Sequence, residues 1–383
     1  MDFFFDQEHL NLRTRIHSWV DEHLISAPES DLDINGQAQK LVSCLGQEGF
    51  IAHTVPKKFG GVRESVQARD LCLLRDELAR GSALADTMFA MQALGSYPIT
   101  LAGNHEQKRR YLPAVATGEA IAAFALTEPQ AGSDILSMET RAVRHGGDYC
   151  LTGVKRFISN AGIARTYTVF AMTDPDDRHK GMSAFVVQAD TPGFVFKESI
   201  PLISPHPIGV IAFEDCRIPE DQILGQEGDG LKIALATLDT LRCTVGAAAV
   251  GLAQRALDEA IRYSQSRRQF GHELAHFQAI QFKIAEMAAE LEASRLLVYQ
   301  AAWINDHGKP GLKEKSSIAK LFATEAAQRI VDQALQIHGG SGVVAGAVVE
   351  RLYRDVRALR IYEGTSEVQK LVIAKELLKK GKS

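Results

Sequence analysis

Residues 351–369 read R-L-Y-R-D-V-R-A-L-R-I-Y-E-G-T-S-E-V-Q. They set Glu363 between a segment carrying Arg351, Arg354, Arg357 and Arg360 and a helix start, where Ser366 with Gln369 predicts a capping box. A carboxylate on the loop entering that helix is pulled two ways. The positive helix end favours its charged form, and burial against Ile361 and Tyr362 favours its neutral one. Such a group can be tuned into a general base. An exposed loop glutamate without chemistry is the alternative that the stretch by itself leaves open.

Two other stretches match patterns with known chemistry. His272-Glu273-Leu274-Ala275-His276 fits H-E-x-x-H, in which one helix face holds zinc through two imidazoles. Gly271 precedes the first histidine, however, and the apolar helical period begins only at Phe277, so the pair straddles a loop. A zinc hydrolase around His272 and His276 is a remote alternative, and no metal is expected. Gly340-Ser341-Gly342-Val343-Val344-Ala345 fits the dinucleotide fingerprint, but a helical pattern stands before it where a strand is required. These glycines give backbone access to an anion or end a helix.

Two loops carry donors suited to a polar ring edge or a phosphate. In F-A-L-T-E-P-Q-A-G-S-D, residues 124–134, an apolar strand runs into hydroxyls and backbone N–H groups. In K-R-F-I-S-N-A-G, residues 155–162, an aromatic and a hydroxyl sit at a second strand end. Each alone reads as a turn before it reads as a site.

The elements that must position these groups fall into three stretches. Residues 1 to about 120 read as helices: Leu41, Val42, Leu45 and Phe50 form one pattern, Leu71, Leu74 and Leu78 another, and an Asn104-x-x-Gln107 box opens a third. From Ala122 to Cys216, short β-branched and aromatic runs alternate with turns, including the polar D-P-D-D-R-H-K, and predict a compact antiparallel barrel or sandwich. Beyond Gly230 the helical period returns, with Phe277, Ile280, Ile284, Met287 and Leu291 stepping by three and four. The expected domains are 1–120, 121–228 and 229–383.

Composition allows a large core: 383 residues, 45% hydrophobic and 23% charged. A formal charge of −4 without a Lys/Arg block argues against nucleic-acid or membrane-surface binding. Five scattered cysteines without a C-x-x-C pair predict free thiols in a reducing compartment. No signal or transit peptide is read at the N-terminus and no uncharged stretch of spanning length is seen, so a soluble, cytoplasmic protein is expected.

In order, T-E-P-x-A-G-S-D, K-x-F-I-S-N-A, R-R-Q-F-G, F-Q-A-I-Q-F, Q-x-H-G-G-S-G and I-Y-E-G-T-S-E resemble the acyl-CoA dehydrogenase family across nearly the whole chain. The resemblance implies an α+β multidomain fold: an N-terminal helical bundle, a middle antiparallel β-barrel and a C-terminal four-helix bundle. It further implies bound FAD and a homotetramer, or dimer of dimers. Glu363 matches the family's base. Phe124, Leu126, Thr127 and Ser133 match flavin and substrate contacts of the first β loop, and Phe157, Ile158 and Ser159 the flank of the flavin ring. Arg267, Phe270 and Gln278 match contacts to the FAD diphosphate and adenosine, with Gln336 and Gly340 supplied by a neighbouring subunit. Thr365 and Glu367 match the loop beside the cofactor. Asp239 and Arg242 resemble the pair near the CoA moiety, and the resemblance makes Tyr362 and Gly364 further substrate contacts. The bland reading of Asp239 and Arg242 is a surface i,i+3 ion pair.

Three departures stand out. Phe157 replaces a common Trp, Ser159 replaces a common Thr, and L-I-S-P-H-P-I-G-V lacks the usual Arg. No Arg lies between Ser82 and Ile99, which argues against a dicarboxylate substrate; Asp86 there would favour a polar acyl group if it faced the pocket. The implied reaction is α,β-dehydrogenation of an acyl-CoA or acyl-carrier-protein thioester, with Glu363 taking the α-proton, the β-hydride passing to flavin N5, and an electron-transferring flavoprotein as acceptor. A flavin monooxygenase or oxidase on the same fold is the nearer alternative.

Overall fold

The computed structural model describes residues 4–26, 31–177 and 180–380. Arg178 and His179 of the expected polar loop lie outside them, as does the start of the N-terminal apolar run. In chain order the helices are α1 (Gln7–Val20), α2 (Ile34–Gln47), α3 (Ala68–Gly81), α4 (Ala83–Ala102), α5 (His105–Ala116), α6 (Gly230–Ser266), α7 (Gln278–Asp306), α8 (Leu312–His338), α9 (Val348–Ala358) and α10 (Ser366–Lys380). The strands are β1 (Ala122–Ala125), β2 (Arg141–His145), β3 (Asp148–Ser159), β4 (Thr166–Met172), β5 (Met182–Gln188), β6 (Phe194–Ser199), β7 (Ile208–Pro219) and β8 (Ile223–Leu224), then a short hairpin of β9 (Arg268–Gln269) and β10 (His272–Glu273). The helical, β and helical thirds expected from the sequence are therefore present in that order. By packing, the chain forms two compact units. One holds α1, Gln67–Asp86 and the chain from Asp239 onward; the other holds α2 through Val66 and Thr87–Leu238.

In the β-bearing unit the hydrogen-bonded path is β6-β7-β3-β2-β4-β5-β8, with β1 added beside β4. Most pairings are antiparallel; β1 and one residue pair of β2 run parallel to β4. β4, T-Y-T-V-F-A-M, is buried at every position, as its β-branched and aromatic composition requires of a central strand. Helix α4 lies on β1 closely enough that a Cβ on Gly95 would meet the Ala123 nitrogen at 2.7 Å. The buried Gln92 amide donates to the Ala120 carbonyl (2.9 Å) and accepts from the Ala122 N–H (2.7 Å), which satisfies the first strand where it leaves the loop. The expected Asn104/Gln107 capping box opens α5, and the Gln107 amide also donates to the Asp221 and Ile223 carbonyls.

The β3–β7 ladder slips between Lys155 and Ile158, a bulge that leaves Arg156 and Phe157 out of register. Phe157 takes φ 56° there and its ring is 49% exposed.

In the helical unit, α3, α6, α7, α8 and α10 build the core. Helix α6 contains the one described stretch long and apolar enough to cross a membrane, and 72% of that window is buried inside the protein. Small residues let it approach its neighbours: a Cβ on Gly246 would meet Val298 Cγ2 at 2.7 Å, and one on Gly251 would meet the Asp76 carbonyl oxygen at 1.9 Å. Phe5 packs edge-on against Tyr299, 4.8 Å between ring centres. All five cysteines are free thiols.

The Gly251 contact is with backbone that cannot rotate away. Gly251→Ala should therefore destabilise by about 1–3 kcal/mol, as overpacked cores do, and lower the melting temperature measured by thermal unfolding. An unchanged melting temperature would mean that α3 can shift freely from α6.

Candidate active site

The turn carrying Glu363 is held in place from several directions. After α9 the chain turns through Tyr362 and enters two successive left-handed residues, Glu363 at φ 51° and Gly364 at φ 93°. Such a φ is uncommon for a non-glycine residue and persists only where its surroundings enforce it. The φ of Gly364 is the reason this position needs glycine, and a Cβ there would also press on Gln369 Nε2, at 2.5 Å. The Gly364 carbonyl accepts from Lys320 Nζ (2.8 Å) and from Gln369 Nε2 (2.9 Å). Both ends of the loop are tied to α8 through Glu325, which accepts from Arg360 Nε (2.8 Å) and from Ser366 Oγ (2.6 Å).

The helix cap differs from the sequence expectation by one residue. Thr365, not Ser366, caps α10: its carbonyl accepts the Gln369 N–H at 2.9 Å and its hydroxyl the Val368 N–H at 3.3 Å. Ser366 is drawn to Glu325 instead, and Gln369 braces the turn rather than closing a box.

One Glu363 carboxylate oxygen, Oε2, is buried without a hydrogen-bond partner. Burial pushes the carboxyl up from its ordinary value. Arg75, Lys320 and Arg242 oppose that rise in decreasing order, and Asp86 adds to it. The four arginines nearest in sequence are not the cations that matter most. Arg354 pairs with Glu350, Arg360 pairs with Glu325, and Arg351 and Arg357 are exposed. Sequence spacing gave no sign of Arg75 or Lys320, which the tertiary fold brings in from α3 and α8.

Asp86 does not present a free carboxylate to an acyl chain. Both of its oxygens accept from Arg75, at 2.7 and 2.9 Å, and the pair is buried, with a further Arg75 nitrogen donating to Thr244 Oγ1 at 2.9 Å. Burial also raises the Tyr362 hydroxyl, which Arg75 opposes. Asp239 and Arg242 do form an ion pair, but not a surface one: the Arg242 side chain is 8% exposed and its Nε is buried without a partner.

The two loops read from the β region come together in the β-bearing unit. The Thr127 carbonyl accepts the Arg156 N–H at 3.0 Å. The fully buried Lys155 donates to the Leu126 carbonyl (3.2 Å) and to Glu128 (2.8 Å). Burial pulls the Lys155 ammonium down to about 8, with Glu128 opposing. Thr127 is partly exposed and Ser133 exposed, whereas Phe124 and Leu126 are core side chains, Phe124 packing on Phe170 at 5.0 Å. Ile158 is buried, and Ser159 Oγ lies 3.0 Å from His206 Nε2. His206 Nδ1 faces the Ser204 carbonyl at 3.3 Å, and burial pulls this imidazole below its ordinary value. The segment L-I-S-P-H-P-I-G-V thus contributes a partner for Ser159, which the sequence reading missed.

At one end of the helical unit the β9–β10 hairpin presents Phe270, 91% exposed at φ 51°, with exposed Arg267 just before β9 and exposed Gln278 opening α7. Gln336 and Gly340 are exposed near the same end, where Tyr263 of α6 stacks on His338 of α8 at 4.3 Å. Thr365 and Glu367 lie at the start of α10, with Glu367 exposed and Thr365 holding its carboxyl below the usual range together with the Glu367 N–H. His272 and His276 stack on each other in a strand and a 3-10 turn, so the helical condition for H-E-x-x-H fails. Among the described residues no cluster of three metal-ligating side chains occurs. The 339–343 glycine run follows α8 directly as a 3-10 turn, as expected for a helix end.

Each group has its own chemistry: the hydroxyls and exposed bulged aromatic at the joined strand ends suit the edge and face of a polar ring, and Arg267, with no ion pair among the described residues, suits a phosphate. Comparison with known proteins agrees with that chemistry. The chain matches the acyl-CoA dehydrogenase N-terminal domain over residues 6–119, the middle domain over 123–216 and the C-terminal domain over 228–378. A probable acyl-CoA dehydrogenase of Mycobacterium leprae is 41% identical over 381 residues, 98% of this chain and 97% of that protein. The caffeyl-CoA reductase–Etf complex subunit CarC of Acetobacterium woodii is 38% identical, covering 98% of this chain and all of that one. The butyryl-CoA dehydrogenase structure from Megasphaera elsdenii superposes with a TM-score of 0.92 at 34% identity, over 99% of this chain and 100% of that one. The chain belongs to the acyl-CoA dehydrogenase family. It is a flavoprotein oxidoreductase of the acyl-CoA dehydrogenase type.

The Arg75–Asp86 pair next to Glu363 gives a direct test of the charge balance. Asp86→Ala leaves a buried guanidinium without its partner and should destabilise the protein by about 3–5 kcal/mol. Thermal unfolding of the variant measures this, and a melting temperature equal to that of the parent would show that Arg75 finds other compensation.

Proposed function

We propose that this protein catalyses α,β-dehydrogenation of an acyl thioester, with Glu363 removing the α-proton. The observation that carries the reading is the state of that residue: a half-buried carboxylate in the left-handed region, one oxygen unpartnered, facing Arg75, Lys320 and Arg242. Burial makes it a stronger base than an exposed glutamate, while the three cations keep enough of it ionised to accept a proton. An α-proton of a thioester is too weakly acidic to be lost without stabilisation of the enolate, which calls for donors aimed at the carbonyl oxygen and exclusion of water. By family analogy the Glu363 backbone N–H is one such donor, and the left-handed turn fixes its direction.

FAD is the proposed cofactor, and when bound it supplies the acceptor for the β-hydride. Thr127, Ser133 and Ser159 would hydrogen-bond its ring system, Phe157 would cover the ring's flank, and Arg267 with Gln278 would hold its diphosphate end. The substrate is taken to be an acyl-CoA, with an acyl-carrier-protein thioester as the variant form, and Asp239 and Arg242 beside the pantetheine arm. The electron acceptor is inferred to be an electron-transferring flavoprotein, as the name of the Acetobacterium woodii relative implies for that protein. A homotetramer is inferred from the family and from exposed apolar side chains of the helical unit, among them Phe282, Val343, Val344, Leu371 and Leu378.

Glu363→Gln keeps the shape and removes the base. It should retain flavin yet lose nearly all bleaching when mixed anaerobically with acyl-CoA thioesters, and in the parent the acid limb of kcat/KM should lie above the ordinary carboxylate range of about 4.3. Near-parental bleaching by the Gln variant would refute Glu363 as the base. Rapid reaction of the substrate-reduced flavin with oxygen would point instead to an oxidase or monooxygenase.

Arg267→Ala removes charge-assisted bonds to phosphate. The purified variant should carry less FAD than the parent, measured by its visible absorption per mole of protein. Equal occupancy would remove Arg267 from the cofactor site.

A further inference from the structure

Lys320 lies on α8 with no exposed surface, and its ammonium donates to the Gly364 carbonyl at 2.8 Å. A buried lysine is retained against a desolvation penalty, so its charge needs an explanation beyond one hydrogen bond to a neutral carbonyl. Gln369 Nε2 already donates to that same oxygen at 2.9 Å, and a neutral side chain would serve the carbonyl as well. The charged groups that bear on Lys320 are Glu363, Arg242, Glu325 and Glu367. Glu325 is already engaged by Arg360 and Ser366, and Glu367 is exposed, which leaves Glu363, half-buried with its Oε2 unpartnered, as the carboxylate this cation can serve. The remaining charges facing Glu363 are Arg75 and Asp86, bound to each other as a bidentate pair, and Arg242, already paired with Asp239.

We propose that Lys320 is the positioning residue for Glu363: its ammonium clamps the Gly364 carbonyl that fixes the left-handed turn and supplies the uncommitted positive charge that keeps the base ionised. The proposal rests on the reading of Glu363 as the base. Burial pulls Lys320 down to about 8, with Glu363 as the leading opposing influence, so the lysine is charged through neutral pH.

The test compares holoenzymes K320Q and K320R with the parent, using anaerobic flavin bleaching by the saturated acyl-CoA that bleaches the parent fastest, across pH. In K320Q an N–H donor remains but the charge is gone. The acid limb of its bleaching rate constant should move up by about one pH unit or more, since an opposing charge was removed from a carboxylate. In K320R the charge remains in a larger group; the midpoint should stay at the parental value while the plateau rate falls several-fold. A K320Q limb that superimposes on the parental one, with only its plateau lowered, would overturn the proposal and leave Lys320 a structural residue. Should K320Q not fold as a holoenzyme, K320R decides alone: a displaced midpoint overturns the proposal and a parental one supports it. Glu363→Gln separates the two levels of inference. If that variant bleaches normally, the base assignment itself fails; if it is inert and the K320Q limb is unmoved, only the role of Lys320 fails.

Discussion

A carboxylate removed from water prefers to be protonated, and a carboxylate surrounded by cations prefers not to be. Everything around Glu363 is arranged between those limits. Full burial without counter-charge would leave a neutral acid unable to accept a proton, and direct pairing with an arginine would leave a salt bridge too weakly basic to react. The protein uses cations from α3, α6 and α8, and two of these are committed to aspartates of their own, Arg75 to Asp86 and Arg242 to Asp239. The field at the base is therefore softened rather than cancelled. Arg75 influences the same carboxylate that Asp86 repels, so the pair acts on Glu363 as a dipole more than as a charge.

Backbone geometry marks the same places. Few non-glycine residues in the described chain adopt positive φ, and they include Glu363, Phe157 and Phe270, one from each of the three motif groups assigned to base, ring flank and adenosine end. Each is forced there by a local device: the Lys320 and Gln369 clamp at Gly364, the β3–β7 bulge, and the β9–β10 hairpin. Strain at these positions is held by the surrounding contacts, as expected where a side chain must point in one direction.

Much of this was legible in the sequence, and what was not had a common cause. The helical–β–helical order follows from apolar periodicity, and the Asn104/Gln107 cap followed from spacing. The family motifs brought Glu363 and the two β loops to attention in advance. The Ser366 cap was misread by one residue because Thr365 and Ser366 are both competent caps and only Glu325, from another helix, decides between them. Whether Asp86 faced the pocket was left open by the sequence, because its partner Arg75 lies on the preceding helix, beyond the reach of any periodic pattern. Lys320 looks in sequence like a polar face residue, and His206 like one residue of a loop. Their roles arise from long-range contacts, which spacing along the chain does not encode.

The grip of Glu325 on both Arg360 and Ser366 has an evolutionary corollary. One side chain closes the loop from Ile361 to Thr365 at both of its ends, so the span it brackets has a set length. Descendants of this sequence can change which side chain stands at position 363 while the frame remains, but a residue gained or lost inside the bracket would detach one anchor and swing the remaining segment away. Diversification of chemistry at this site is thereby channelled toward replacement and away from indels.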